Sequence, residues 1–234
     1  MVSLDVLGGL AIALAGMPLL GLATRRYRNS SGGARTDLIA SDVNKWAVFA
    51  LLCGYVLFVE ERPLSSMTGQ SLDPLAFGVT VGGGVLLLFV TSALTTPFFD
   101  RLGVGGLGEG MSELASLSRR HRIAIAVTAG VTEEALFHGY AIERLLELTG
   151  SPLLAGSVSF VAFTLGHVLG WDRGAVARIA VPALLTTVLY LLVRDVVALM
   201  AIHALNDAVG LLLIDAIRSG EPADSAAGRD ETTQ

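Results

Sequence analysis

Residues 122–143 read RIAIAVTAGVTEEALFHGYAIE, and the fold follows from how that stretch is understood. It is as long as the ~20 mostly apolar residues that cross a bilayer as a helix. Yet its middle carries Glu133, Glu134 and His138. A charge-capable side chain at mid-membrane costs about 2.5 kcal/mol or more, so such residues face protein neighbours and mark a relay, an ion path or a catalytic centre. A span of this kind predicts a bundle around it.

The rest of the chain agrees. Of 234 residues 53% are hydrophobic and only 16% charged, and the mean hydropathy is +0.65. That excludes a soluble domain of this size. Seven apolar stretches are candidate spans: about 3–23, 44–59, 75–97, 122–143, 152–170, 176–193 and 195–216. The second is short before Glu60 and brings Asp42 to Lys45 near its mouth. The basic residues sort the loops. With the N-terminus outside, thirteen of the sixteen fall on the cytoplasmic side, leaving only Arg62, Arg144 and Arg194 outside. The positive-inside rule therefore gives N-terminus out and C-terminus in. Arg25, Arg26 and Arg28 follow the first span rather than precede it, so that span reads as a retained anchor. The expected fold class is an all-α polytopic transmembrane bundle. Residues 1–218 form one domain with its motif-bearing core at about 120–215, and 219–234 form a disordered polar tail.

Smaller features add little. Fifteen of the sixteen basic residues are Arg, which fits a GC-rich genome and a prokaryotic cell membrane. The single cysteine, Cys53, allows no intrachain disulfide. Residues 98–121 read as a cytoplasmic loop or an interfacial segment. Gly78 and Gly82 to Gly84 suggest close packing of the third span. No internal repeat is evident.

Three spans carry the chemistry. Adjacent glutamates on a helix diverge by ~100°, so Glu133 and Glu134 serve different partners. Glu134 and His138, four apart, share a face. Phe163 and His167 share a face of the fifth span. On the seventh, His203 and Asp207 share one, with Asn206 on a nearby stripe. An Asp one turn from a His can orient the imidazole, hold a proton beside it or join it on a metal, while Asn206 and Asp207 as polar glue between helices is the plainer alternative.

In order, the three pieces read Glu-Glu-x-x-x-His, Phe-x-x-x-His and His-x-x-x-Asp. The chain resembles the CAAX-protease and bacteriocin-processing (CPBP, or Abi) family of intramembrane endopeptidases. That family's pattern is Glu-Glu-x-x-x-Arg, Phe-x-x-x-His and His-x-x-x-Asn or Asp. The likeness covers roughly residues 120–215, with His138 standing where the family has Arg. A histidine replaces that Arg only when protonated or through a neutral hydrogen bond.

The resemblance implies hydrolysis of a peptide bond in a membrane-associated protein or peptide, on the cytoplasmic side. Glu133 with His167 would activate water. His203 with Asp207 would receive the oxyanion, or Asn206 would donate while Asp207 orients His203. Glu134, His138 and Phe163 would support them. No cofactor is expected; the alternative is a zinc ion on Glu133, His167, His203 and Asp207. The bilayer and a membrane-associated substrate are the expected partners, and no nucleic acid is. Two other classes stay open. One is a non-catalytic scaffold or immunity protein of the same family, which His138 favours. The other is a proton-coupled carrier, which would more often show a repeat.

Overall fold

The computed structural model describes residues 4–28, 34–104, 114, 116–168 and 171–219. Over these the chain is all-α. The elements are α1 (Leu4–Arg28), α2 (Ala34–Phe58), a 3-10 turn (Leu64–Met67), α3 (Pro74–Arg101) and α4 (Arg119–Glu133). A π-helical segment (Glu134–Ile142) carries α4 into α5 (Glu143–Thr149), and α6 (Pro152–His167), α7 (Arg173–Val193) and α8 (Val196–Ser219) follow. The expected polar tail, apart from Ser219, lies outside the described residues, as does most of the stretch between Arg101 and Ser118.

The breaks between helices are written in local chemistry. Asp73 caps α3 by accepting from the backbone N–H groups of Leu75 and Ala76, with Pro74 at the first helical position. Ser151 and Pro152 repeat the device at α6, and Asp172 caps α7 through Gly174 and Ala175. Gly150, at φ 64°, ends α5 in the left-handed conformation that glycine adopts without strain. Arg194 ends α7 at φ 55° without being glycine. Its carbonyl accepts from Gln70 N at 2.5 Å. A side chain at Gly69 would bring a Cβ within 2.0 Å of that carbonyl, so only glycine fits there.

Four helices contain a stretch long and apolar enough to cross a membrane: Leu4–Thr24, Pro74–Arg101, Arg173–Val193 and Val196–Leu213; Pro152–His167 is apolar but shorter. The outer face of α3 is hydrocarbon: Leu75, Val79, Leu86 and Leu94 are all at least 63% exposed. In water such a surface would aggregate; in a bilayer it is the lipid face. Of the glycines expected to pack, only Gly84 does so, against Ile202 of α8. Gly78, Gly82 and Gly83 have open space where a Cβ would stand.

Hydrogen bonds tie alternate helix ends together. At one end, Glu60 and Ser66 meet Arg144, and Asp195 accepts from Leu72 N. At the other, Asn44 of α2 donates to Thr24 of α1, Arg178 pairs with Asp100, and Arg122 donates to the Leu211 carbonyl. Neighbouring helices therefore run antiparallel. The most extensive packing is α4 on α8, followed by α1 on α2 and α6 on α7. The helix that holds the second candidate span is longer than the span itself. α2 begins at Ala34, well before residue 44, so Asp42 and Lys45 lie within the helix, and Lys45 has Glu133, Asp42 and Asp207 in electrostatic range.

Candidate active site

Glu133 is the last residue of α4 and Glu134 the first of the π-helical segment, where hydrogen bonds run i→i+5. Their side chains part as the helical geometry requires. Glu134 is 1% exposed. Its Oε1 accepts from His203 Nδ1 of α8 at 2.7 Å, across 69 positions of sequence. Its Oε2 lies 2.5 Å from His138 Nδ1 on its own segment. That second contact is an ion pair only when His138 is protonated. On the other side of the imidazole, His138 Nε2 stands 3.0 Å from Thr187 Oγ1. Thr187 already donates its single hydroxyl hydrogen to the Ala183 carbonyl, so His138 Nε2 is the donor. Thr187→Val, which keeps the shape and removes the acceptor, is expected to cost about 1–3 kcal/mol of stability, read by thermal unfolding in detergent. An unchanged midpoint would show that His138 does not need Thr187.

Glu133 turns toward α2. Its Oε1 lies 2.6 Å from Lys45 Nζ, and His167 and His203 both lie within electrostatic range of its carboxylate. His167 Nδ1 donates to the Phe163 carbonyl at 2.9 Å, a bond that fixes the tautomer and leaves Nε2 as the basic nitrogen. Phe163 holds the ring from below at 4.5 Å between centroids and packs edge-on against Phe137 of the π segment. His203 Nε2 lies 3.4 Å from Asp207 Oδ2, and Asn206 Nδ2 donates to Asp207 Oδ1 at 3.2 Å. Exposure rises outward, from Glu134 at 2% through His203 at 15% to Asp207 at 35% of the side chain.

All eight residues singled out from the sequence therefore belong to one region, though not always with the expected neighbour. Glu134 was expected to serve His138 and also bonds His203. Glu133 was expected to meet His167 and has Lys45 as its short partner. Lys45 was read only as a residue near a span's mouth. Its one signal was being the chain's single lysine, at the edge of an apolar run. Among the described residues no group of three or more His, Cys, Asp or Glu side chains is placed to hold a metal ion. Glu133 is engaged with Lys45, and both nitrogens of His203 face carboxylates.

A helix bundle with a lipid-facing exterior and a buried glutamate–histidine centre defines an integral membrane protein with the makings of acid–base chemistry. The model of the Rce1-like family, type II CAAX prenyl endopeptidases, matches residues 119–209. That segment carries the three motifs, and through it the chain is similar to this family of membrane proteases. No curated protein and no solved structure is significantly similar to the chain.

Proposed function

We propose that this chain is an intramembrane endopeptidase that uses Glu133 and His167 to activate water. The observation that carries the reading is the convergence of the three motif helices on adjacent carboxylates. Glu134 binds His203, while Glu133 lies in electrostatic range of His167 and His203. Glu133, with His167 Nε2 beside the water, takes a proton as the hydroxide oxygen bonds to the scissile carbonyl carbon. The oxyanion is received by His203, whose ring Glu134 and Asp207 hold in place. The proton then passes from Glu133 to the leaving amine as the C–N bond breaks.

The cytoplasmic side is the proposed side of entry. His167 ends α6 six residues before Arg173 opens α7, and Asp207 is more open than His203 or Glu134. The antiparallel helix ends support seven crossings, and the basic residues support N-terminus out and C-terminus in.

The test is the purified chain in nanodiscs against a farnesylated peptide ending in a Cys-aliphatic-aliphatic-X sequence, beside a library of unprenylated membrane peptides. Cleavage is expected, and Glu133→Gln should lower it about 100-fold or more. Equal cleavage by both proteins would remove Glu133 as base. Proton-driven flux without cleavage would favour a carrier, and neither activity would favour a scaffold. Cleavage should survive exhaustive chelation; loss restored by added zinc would overturn the metal-free reading.

A further inference from the structure

Glu133 has a partner that no motif contains. Lys45 Nζ lies 2.6 Å from its Oε1, with the lysine side chain 23% exposed and the glutamate 7%. Lys45 is the chain's only lysine. It stands on α2, outside residues 119–209 that carry the family domain. Its sequence neighbours fix it in place. Asn44 Nδ2 donates to Thr24 Oγ1 at 3.0 Å and ties α2 to α1. Trp46 Nε1 donates to Thr128 Oγ1 at 3.1 Å and ties α2 to α4, just over one turn before Glu133. Three consecutive residues thus dock this stretch of α2, and the middle one delivers an ammonium to the Glu133 carboxylate. Asp42 and Asp207 are also within its electrostatic range. The lysine is therefore the counter-charge for a carboxylate-rich pocket.

We propose that Lys45 is a positioning residue of the hydrolytic site, holding Glu133 Oε1 so that Oε2 is left to take the proton of the attacking water. The proposal rests on Glu133 acting as the base. A buried carboxylate without a cation is strongly disfavoured, and a carboxylate free to rotate loses the alignment on which proton transfer depends. A lysine suits the task because its ammonium is a compact point charge that meets one oxygen and leaves the other open. An arginine fork would tend to engage both. The site is then completed by α2, and the family domain alone lacks one of its working charges.

The experiment uses the full chain in nanodiscs with the farnesylated peptide. Lys45→Met is expected to lower kcat about 100-fold with KM unchanged, and Lys45→Arg to restore part of the loss. Chemistry on the folded wild-type chain gives a second reading that holds even where Lys45→Met does not fold. Reductive methylation keeps the charge and should leave cleavage intact, whereas acetylation removes it and should abolish cleavage. The N-terminal amine reacts in both, so the acetylated Lys45→Arg chain, in which only that amine loses its charge, is the control and should keep its activity. Lys45→Met with kcat at or above that of the wild type would overturn the proposal, as would equal activity of the acetylated and methylated chains. A rise in kcat would mean that Lys45 restrains the site. Glu133→Gln cleaving like the wild type would instead remove the base, and a wild-type chain that cleaves nothing would remove both readings.

Discussion

Replacing Arg144 by methionine is expected to destabilise the fold by about 3–5 kcal/mol, the usual penalty for removing one partner of a buried ion pair. Arg144 is 0% exposed. Its Nε and Nη2 donate to Glu60 Oε2 at 3.0 and 2.8 Å, and Nη2 also reaches Ser66 Oγ at 2.8 Å. Nη1 donates to Glu147 Oε1 and to the Ser66 carbonyl. Tyr140 donates to the other oxygen of Glu60. One guanidinium thus joins the end of α2, the 3-10 turn and α5. Methionine fills the volume and strands the Glu60 carboxylate, which sits 2% exposed with only Tyr140 left to satisfy it. Lysine at 144 should recover part of the loss, since an ammonium cannot serve all three partners at once. Thermal unfolding in a fixed detergent measures both variants. A methionine variant within about 1 kcal/mol of the wild type would show that the clasp is dispensable.

The second large effect is expected at Gly130. A Cβ there would stand 2.8 Å from the Ala204 backbone nitrogen, and 2.9 Å from both Ala204 Cβ and the Met200 carbonyl oxygen. Two of those three atoms are backbone of α8, so no rotamer change makes room. The helices themselves must separate. Ala204 adjoins His203, whose Nδ1 depends on a 2.7 Å bond to Glu134. Gly130→Leu should therefore push the imidazole off the carboxylate and lower cleavage about 100-fold or more, since a displacement near 1 Å is worth that much. Overpacking should also cost about 1–3 kcal/mol of stability. Gly130→Ala should act in the same direction, less severely. Wild-type cleavage by the leucine variant would mean that the α4–α8 contact does not set the site.

The sequence could be read furthest where the signal was periodic or local. Glu133 and Glu134, adjacent on a helix, had to diverge, and they reach α2 and α8 respectively. The four-residue spacings placed Glu134 by His138, Phe163 by His167 and His203 by Asp207. These contacts depend only on helical pitch. Lys45, Arg144 and Thr187 were not legible as partners, because their contacts join residues tens of positions apart. Arg144 entered only as a charge counted outside the membrane, although among the described residues it is the largest fully buried side chain. Nor did spacing distinguish Gly84, which packs, from Gly82 and Gly83, which face open space. A run of glycines does not say which way each one points.

The amino-acid order alone determined that this chain is an apolar helix bundle with acids and imidazoles set at one-turn spacings on three helices. Hydropathy and helical pitch are local properties, carried in full by neighbouring residues. Only the tertiary structure decided which carboxylate meets which imidazole, that the chain's single lysine completes the pair at Glu133, and that a buried arginine clasps the opposite end. Those outcomes depend on how far each helix is rotated and shifted against the next, and packing across the whole bundle sets that.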